Sequence, residues 1–162
     1  MPLEPALDTT LLRSVMSNFC TGVTVITAHD GSVPLGFACQ SLTSVSLDPP
    51  LVSFCPARTS RSWPRLREVG TLCINVLAHD QRPECASFAT SGDDKFAGID
   101  WTRAGNGAPA LSGALARIEV TVEDEHDAGD HTIVVARVGN LEVLREDGPL
   151  LFYRGGYGRF EG

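Results

Sequence analysis

Four short apolar or β-branched runs follow one another between Val23 and Cys55 with only turns between them. They are Val23–Thr27, Val33–Cys39, Ser44–Leu47 and Leu51–Cys55. Parallel neighbours need a crossover of about a dozen residues, usually a helix, so strands this close in sequence pair antiparallel. Asp30-Gly31 between the first two runs reads as a hairpin turn. Asp48-Pro49-Pro50 separates the last two, with the prolines expected outside the ladder because they donate no N–H.

The same grammar continues downstream. Thr71–Leu77 is a strongly apolar strand. Residues 114–123 alternate, with Ala116, Ile118, Val120 and Val122 on one face and Arg117, Glu119, Thr121 and Glu123 on the other. That is a strand with one buried face and one wet face. Residues 131–138 and 140–145 give two more, broken at Gly139, and Leu150–Tyr153 is the last. Three short helices are expected. The first spans residues 8–19, capped by Asp8 or Thr9, with Leu12, Val15, Met16 and Phe19 on one stripe. The second is capped by Thr59, Ser60 or Ser62 and carries Trp63, Leu66 and Val69, with Gly70 ending it. The third opens at Asp80 with Pro83 in its first turn. About eight strands without regular intervening helices disfavour a doubly wound sheet. They predict a mainly β protein: an antiparallel Greek-key barrel with short flanking helices.

At 162 residues the chain is the size of one domain. Thirteen basic against twenty acidic residues give a net charge of −7, which argues against nucleic acid or an anionic membrane surface as a general partner. No run approaches the roughly 18 apolar residues of a membrane span, and the acid-bearing first ten residues lack a secretory n-region. Five widely spaced cysteines without a C-x-x-C pair suit reduced thiols in a cytoplasmic protein.

Familiar catalytic strings fail on context. Gly105-x-Gly107-x-x-Ala110 matches a dinucleotide fingerprint but runs into Pro109 and a strand rather than a helix. His126 and His131 lie near carboxylates, yet spacing places no third metal ligand. Segment 36–46 is rich in small residues and hydroxyls between apolar strands. It suits close approach of a planar ligand to the backbone, with Gln40, Ser41 and Ser46 adding side-chain bonds. It equally suits a polar loop and an edge strand. Segment 55–62 offers Arg58, Arg61, three hydroxyls and a helix start, the outline of an anion site or of plain helix capping. His131, after Gly129-Asp130, starts a strand at a loop rim. Tyr153, Arg154 and Tyr157 crowd a glycine-rich tail, as a lid or a subunit contact.

These residues resemble the short-chain flavin reductases that serve two-component flavin-dependent monooxygenases. The likeness runs from about Leu12 to Phe160. It rests on Phe19-x-x-Gly22-Val23-Thr24-Val25-Ile26-Thr27, the run from Gly36 to Leu51, Phe88-Ala89, Lys95-Phe96, Gly129-Asp130-His131, and Pro149 to Tyr157. The resemblance implies an FMN-binding split barrel, a homodimer with flavin near the subunit interface, and reduction of free FAD or FMN by NADH, with FAD slightly favoured. The reduced flavin would then supply a separate monooxygenase. It implies that Ala38, Cys39, Gln40 and Ser41 lie along the isoalloxazine with Ser44, Val45 and Ser46 close by. Cys55, Arg58, Thr59, Ser60 and Arg61 would follow the ribityl and phosphate. Phe88, Ala89 and Lys95 would continue the flavin site, and His131, Tyr153, Arg154 and Tyr157 would face the nicotinamide. Many relatives have T-A-N-S where this chain has Ala38-Cys39-Gln40-Ser41, so flavin contacts here should lean on backbone groups. A flavin module without turnover is the alternative. A pyridoxamine-type oxidase would want more basic phosphate ligands.

Overall fold

A computed structural model describes residues 6–92 and 94–162. The chain runs α1 (Thr9–Met16), β1 (Thr21–Gly22), β2 (Thr24–His29), β3 (Pro34–Cys39), β4 (Thr43–Leu47), β5 (Pro50–Phe54), α2 (Trp63–Val69) and β6 (Thr71–Val76). It continues α3 (Arg82–Ala89), β7 (Trp101–Arg103), β8 (Pro109–Leu111), β9 (Ala116–Ala128), β10 (His131–Val143), β11 (Leu150–Tyr153) and β12 (Gly156–Arg159).

Seven strands form one antiparallel sheet in the order β3-β2-β6-β9-β10-β5-β4. The sheet curls on itself. Phe37 of β3 and Phe54 of β5 sit near opposite ends of that order, yet their ring centroids are 6.4 Å apart, and Trp63 of α2 stands edge-on to both. They share one core with Ile26, Leu66, Leu72, Ile74, Val120 and Val134. The end strands β3 and β4 do not pair with each other among the described residues, so the curled sheet stays split along one seam. The expected mainly β, antiparallel fold is what forms. A second core of Val23, Val25, Leu77, Cys85, Phe88, Leu111 and Leu150 packs α3 and the small β1-β11-β12 sheet against the outside of β2.

Local chemistry explains the boundaries. Asp30 Oδ1 accepts the N–H groups of Ser32 and Val33 at 2.8 Å each, closing the β2–β3 hairpin. Gly70 ends α2 at φ 79°, a left-handed conformation that glycine adopts without a Cβ penalty.

Several expectations need correction. Pro50 lies inside the ladder, paired with Leu47, but as the first residue of β5, where a missing donor costs least. Gly139 does not break a strand: β10 is continuous, with a register shift between Val138 and Asn140 that absorbs the extra residue as a bulge. Asp80 does not cap α3. Its carboxylate accepts both terminal nitrogens of Arg145 at 2.8 and 2.9 Å, and Gln81 takes the cap position. Glu119 is buried rather than wet. The loop before β8 covers it, the Asn106 N–H donates to Oε1 at 2.6 Å, and Asn140 Nδ2 donates to Oε2 at 2.8 Å. Helix α1 ends at Met16, short of Phe19, and its apolar stripe buries nothing: Leu11, Leu12, Val15, Met16 and Phe19 are all exposed. β1, β7, β8 and β12 are additional strands. All five cysteines are free thiols, and Cys39, Cys73 and Cys85 are buried.

Candidate functional site

A cleft of about 820 Å³ opens between β3 and the segment that follows β5. This lies within the range of roughly 300–1,000 Å³ usual for small-molecule sites. One wall is β3 from Pro34 to Cys39, continuing through Gln40 and Ser41. The other is Cys55-Pro56-Ala57 after β5. Residues Thr59–Ser62, Arg65, Phe88–Gly92, Lys95, Phe96 and His131 complete the lining. Gly36 lets α3 come close. A Cβ there would stand 2.9 Å from Phe88 Cε1.

One end of the cleft is cationic. The Lys95 ammonium donates to Ser62 Oγ at 3.0 Å and to the Phe88 carbonyl at 3.4 Å, tying the start of α2 to the end of α3. Burial pulls the Lys95 pKa below the usual lysine value. Neither Lys95 nor Arg61 forms an ion pair among the described residues, while Arg65 reaches Asp30 at 3.4 Å. The helix end itself gives less than expected: Ser60 Oγ already accepts the Trp63 N–H at 3.1 Å, and Pro64 has no N–H. The groups that could hold an anion there are therefore side chains: Arg61, Arg65, Lys95 and the hydroxyls of Thr59, Ser60 and Ser62.

The lining also includes the small residues Gly36, Ala38 and Ala57. Ser41 Oγ accepts the Cys55 N–H at 2.8 Å and lies 3.1 Å from Cys39 Sγ, so its hydroxyl bridges the two walls. Gln40 is exposed at the rim. His131 stands where the 55–60 loop meets the β9–β10 turn. Ala57 bridges His131, Thr132 N–H donates to the Pro56 carbonyl at 3.0 Å, and Arg58 N–H donates to the Asp130 carbonyl at 2.9 Å. His131 Nδ1 is 2.7 Å from Asp130 Oδ1, a hydrogen bond that holds the Asp130 carboxyl below its ordinary pKa.

Of the residues singled out in the sequence, the cleft gathers Ala38, Cys39, Gln40, Ser41, Cys55, Thr59, Ser60, Arg61, Phe88, Ala89, Lys95 and His131. It does not gather the rest. Ser44, Val45 and Ser46 lie on β4 beyond the lining. The Arg58 guanidinium turns to Asp127 at 2.5 Å. Tyr153 and Tyr157 lie in the β11–β12 strand pair, and Arg154 lies in the turn between them. Arg154 donates to Asn18 Oδ1 at 2.8 and 3.0 Å. The Tyr157 ring packs on Phe152 beneath the Arg82 guanidinium, with its hydroxyl 3.4 Å from Cys85 Sγ. His126 pairs with Asp124, apart from His131. Sequence reasoning missed Arg65 and the Thr90–Gly92 stretch. Arg65 had a signal, a second guanidinium one helical turn after Arg61.

The donor set fits a flavin. A small-residue wall suits a planar ring, and an acid-poor cationic end suits its phosphate, on a chain whose net charge is −7.

Comparison with known proteins agrees. The chain is 53% identical over 152 residues to the Rhodococcus jostii flavin-dependent monooxygenase reductase subunit HsaB, covering 94% of this chain and 78% of the relative. Among solved structures, component B of nitrilotriacetate monooxygenase from Mycobacterium thermoresistibile superposes with a TM-score of 0.92 at 47% identity, covering 94% of this chain and 87% of that one. The Streptomyces globisporus NADH:FAD oxidoreductase SgcE6, solved with NAD and FAD fragments, gives 0.90 at 36% identity, covering 95% and 93%. The family model for the flavin reductase like domain matches residues 16–161, nearly the whole of the fold described above, and the chain belongs to that family.

Proposed function

We propose that this chain is an NADH-dependent flavin reductase that reduces free FAD or FMN and supplies the reduced flavin to a separate flavin-dependent monooxygenase. The observation that carries the reading is one cleft whose lining joins the cations Arg61, Arg65 and Lys95 to the small residues Gly36, Ala38 and Ala57. The names of the relatives support it, since HsaB is a monooxygenase reductase subunit and SgcE6 an NADH:FAD oxidoreductase.

The two cofactors supply the chemistry, a hydride passing from the nicotinamide to the flavin. The protein needs no nucleophile or acid–base pair for this. Its residues bind and orient. Arg61, Arg65 and Lys95 hold the phosphate, and the β3 wall sets the plane of the ring. Ser41 and the backbone beside it offer donors to the ring's polar edge, where negative charge grows on reduction. His131, with Nδ1 committed to Asp130, presents its other nitrogen to the nicotinamide side. Open access to the cleft suits a flavin that must leave after reduction. NADH is preferred over NADPH because among the described residues no arginine cluster is set apart for a 2′-phosphate.

Two copies assemble as a homodimer in this reading, which the unburied apolar stripe of α1 supports. The free thiols support a reducing, cytoplasmic setting.

The test is NADH oxidation at 340 nm with and without added FAD or FMN. Turnover that saturates with added flavin is expected. A folded protein that keeps a flavin through desalting and turns over neither flavin with either nicotinamide is a binding module instead. His131→Ala should raise KM for NADH more than it lowers kcat; a fall in kcat at constant KM would refute the positioning role.

A further inference from the structure

A hydroxyl has one hydrogen to give and two lone pairs to receive with. The Cys55 N–H fills one lone pair of Ser41 Oγ at 2.8 Å. Cys39 Sγ stands 3.1 Å from the same oxygen, and either atom can be the donor. Among the described residues that sulfur is the sole acceptor within reach of the Ser41 hydrogen. Burial pushes the Cys39 thiol pKa up, so at neutral pH the sulfur keeps its own hydrogen. Its backbone is pinned, because Thr24 Oγ1 donates to the Cys39 carbonyl at 2.7 Å and Cys39 pairs with Thr24 in the sheet.

We propose, on the flavin reading above, that Cys39 is a positioning residue that makes Ser41 a hydrogen-bond donor to the bound flavin ring. In the empty cleft the Ser41 hydrogen rests on the Cys39 sulfur. A ligand with a better acceptor draws that hydrogen into the cleft. The thiol hydrogen then turns to the lone pair left free on Ser41. Two side-chain rotations accomplish the exchange, and no heavy atom of the wall moves. With both lone pairs occupied, Ser41 faces the ligand as a donor only. Such a donor favours an electron-rich edge, so it holds reduced flavin more tightly than oxidised flavin.

The experiment is a mutant cycle read by flavin affinity rather than turnover. Dissociation constants for oxidised FAD, and for reduced FAD under anaerobic conditions, are measured on the wild type, Cys39→Ala, Cys39→Ser, Ser41→Ala and the Cys39→Ala/Ser41→Ala double variant. Cys39→Ala should lower the preference for reduced over oxidised FAD about fivefold, the scale of one hydrogen bond. Cys39→Ser, which restores a donor, should recover most of it. In the Ser41→Ala background the Cys39 substitution should change nothing further. Equal weakening of both redox forms in Cys39→Ala, or the same effect without Ser41, would overturn the proposal while leaving the flavin reading intact. A wild type that binds no flavin would remove both. If Cys39→Ala does not fold, Cys39→Val takes its place in the same cycle, removing the S–H at similar volume.

Discussion

Gly36→Val destabilises the protein by about 3 kcal/mol or more and closes the floor of the cleft, while Gly36→Ala costs about 1–3 kcal/mol, the usual penalty of overpacking. The reason is that nothing around Gly36 can retreat. An added Cβ meets Phe88 Cε1 at 2.9 Å, Phe88 Cδ1 at 3.1 Å and the Ile26 carbonyl oxygen at 3.3 Å. The Ile26 oxygen is backbone within the sheet. The Phe88 ring is 1% exposed and stands edge-on to Phe96 at 4.8 Å between centroids, which in turn abuts Trp101. Thermal melts should fall by about 2–4 °C per kcal/mol for a chain of this size. An unchanged melting temperature in Gly36→Ala would mean that Phe88 yields, and that β3 and α3 are less tightly seated than the distances state.

Removing the cationic end should cost binding and spare chemistry. Lys95→Ala and Arg61→Ala each delete a charged donor, and hydrogen bonds to charged groups contribute about 1.5–3 kcal/mol. Each variant should therefore raise KM for FMN by about 10- to 100-fold, with kcat at saturating flavin within about twofold. Neither cation is engaged by a carboxylate among the described residues, so neither substitution strands a buried acid. Added salt should raise the wild-type KM and affect the double variant much less, because screening acts on the charges that remain. A matched loss from Arg137→Ala, whose guanidinium already pairs with Glu123 at 2.7 Å outside the cleft lining, would show that net charge rather than the site governs binding.

Much of the fold was legible because strand and turn chemistry are local. The run Val23–Thr27, the Asp30 turn and the Gly70 stop each follow from the residues themselves, and each forms. What escaped depends on distant partners. β12 is Gly-Tyr-Gly-Arg, without a β-branched residue, and becomes a strand only because β11 offers its edge. Alternation along β9 told which residues share a face, yet not that Asn106 and Asn140 would cover Glu119. In the candidate site, Ala38–Ser41 and all but Arg58 of Cys55–Arg61 do share one cleft, and the likeness to known reductases named both segments. Sequence distance hid the fate of individual side chains. Arg58 and Arg61 look equivalent three residues apart, until Asp127 engages the first. The Tyr153–Tyr157 tail reads as a lid or a subunit contact, and its sequence does not show that the Tyr157 ring packs against Arg82 and Phe152.

The bare stripe of α1 has a consequence for how this protein holds together. An eight-residue helix is shorter than the 12–15 residues that sustain helicity in water, and among the described residues none of its side chains is buried. Among the described residues its ends are held by the Asp8 cap, which accepts the Thr10 N–H, and by Arg154, whose N–H donates to the Ser17 carbonyl and whose guanidinium donates to Asn18. With a second copy seated on the stripe, as proposed, mass action governs the order of this segment. Dilution alone would then unwind α1 well before the barrel melts, and the resistance of the whole protein to heat would rise with its concentration.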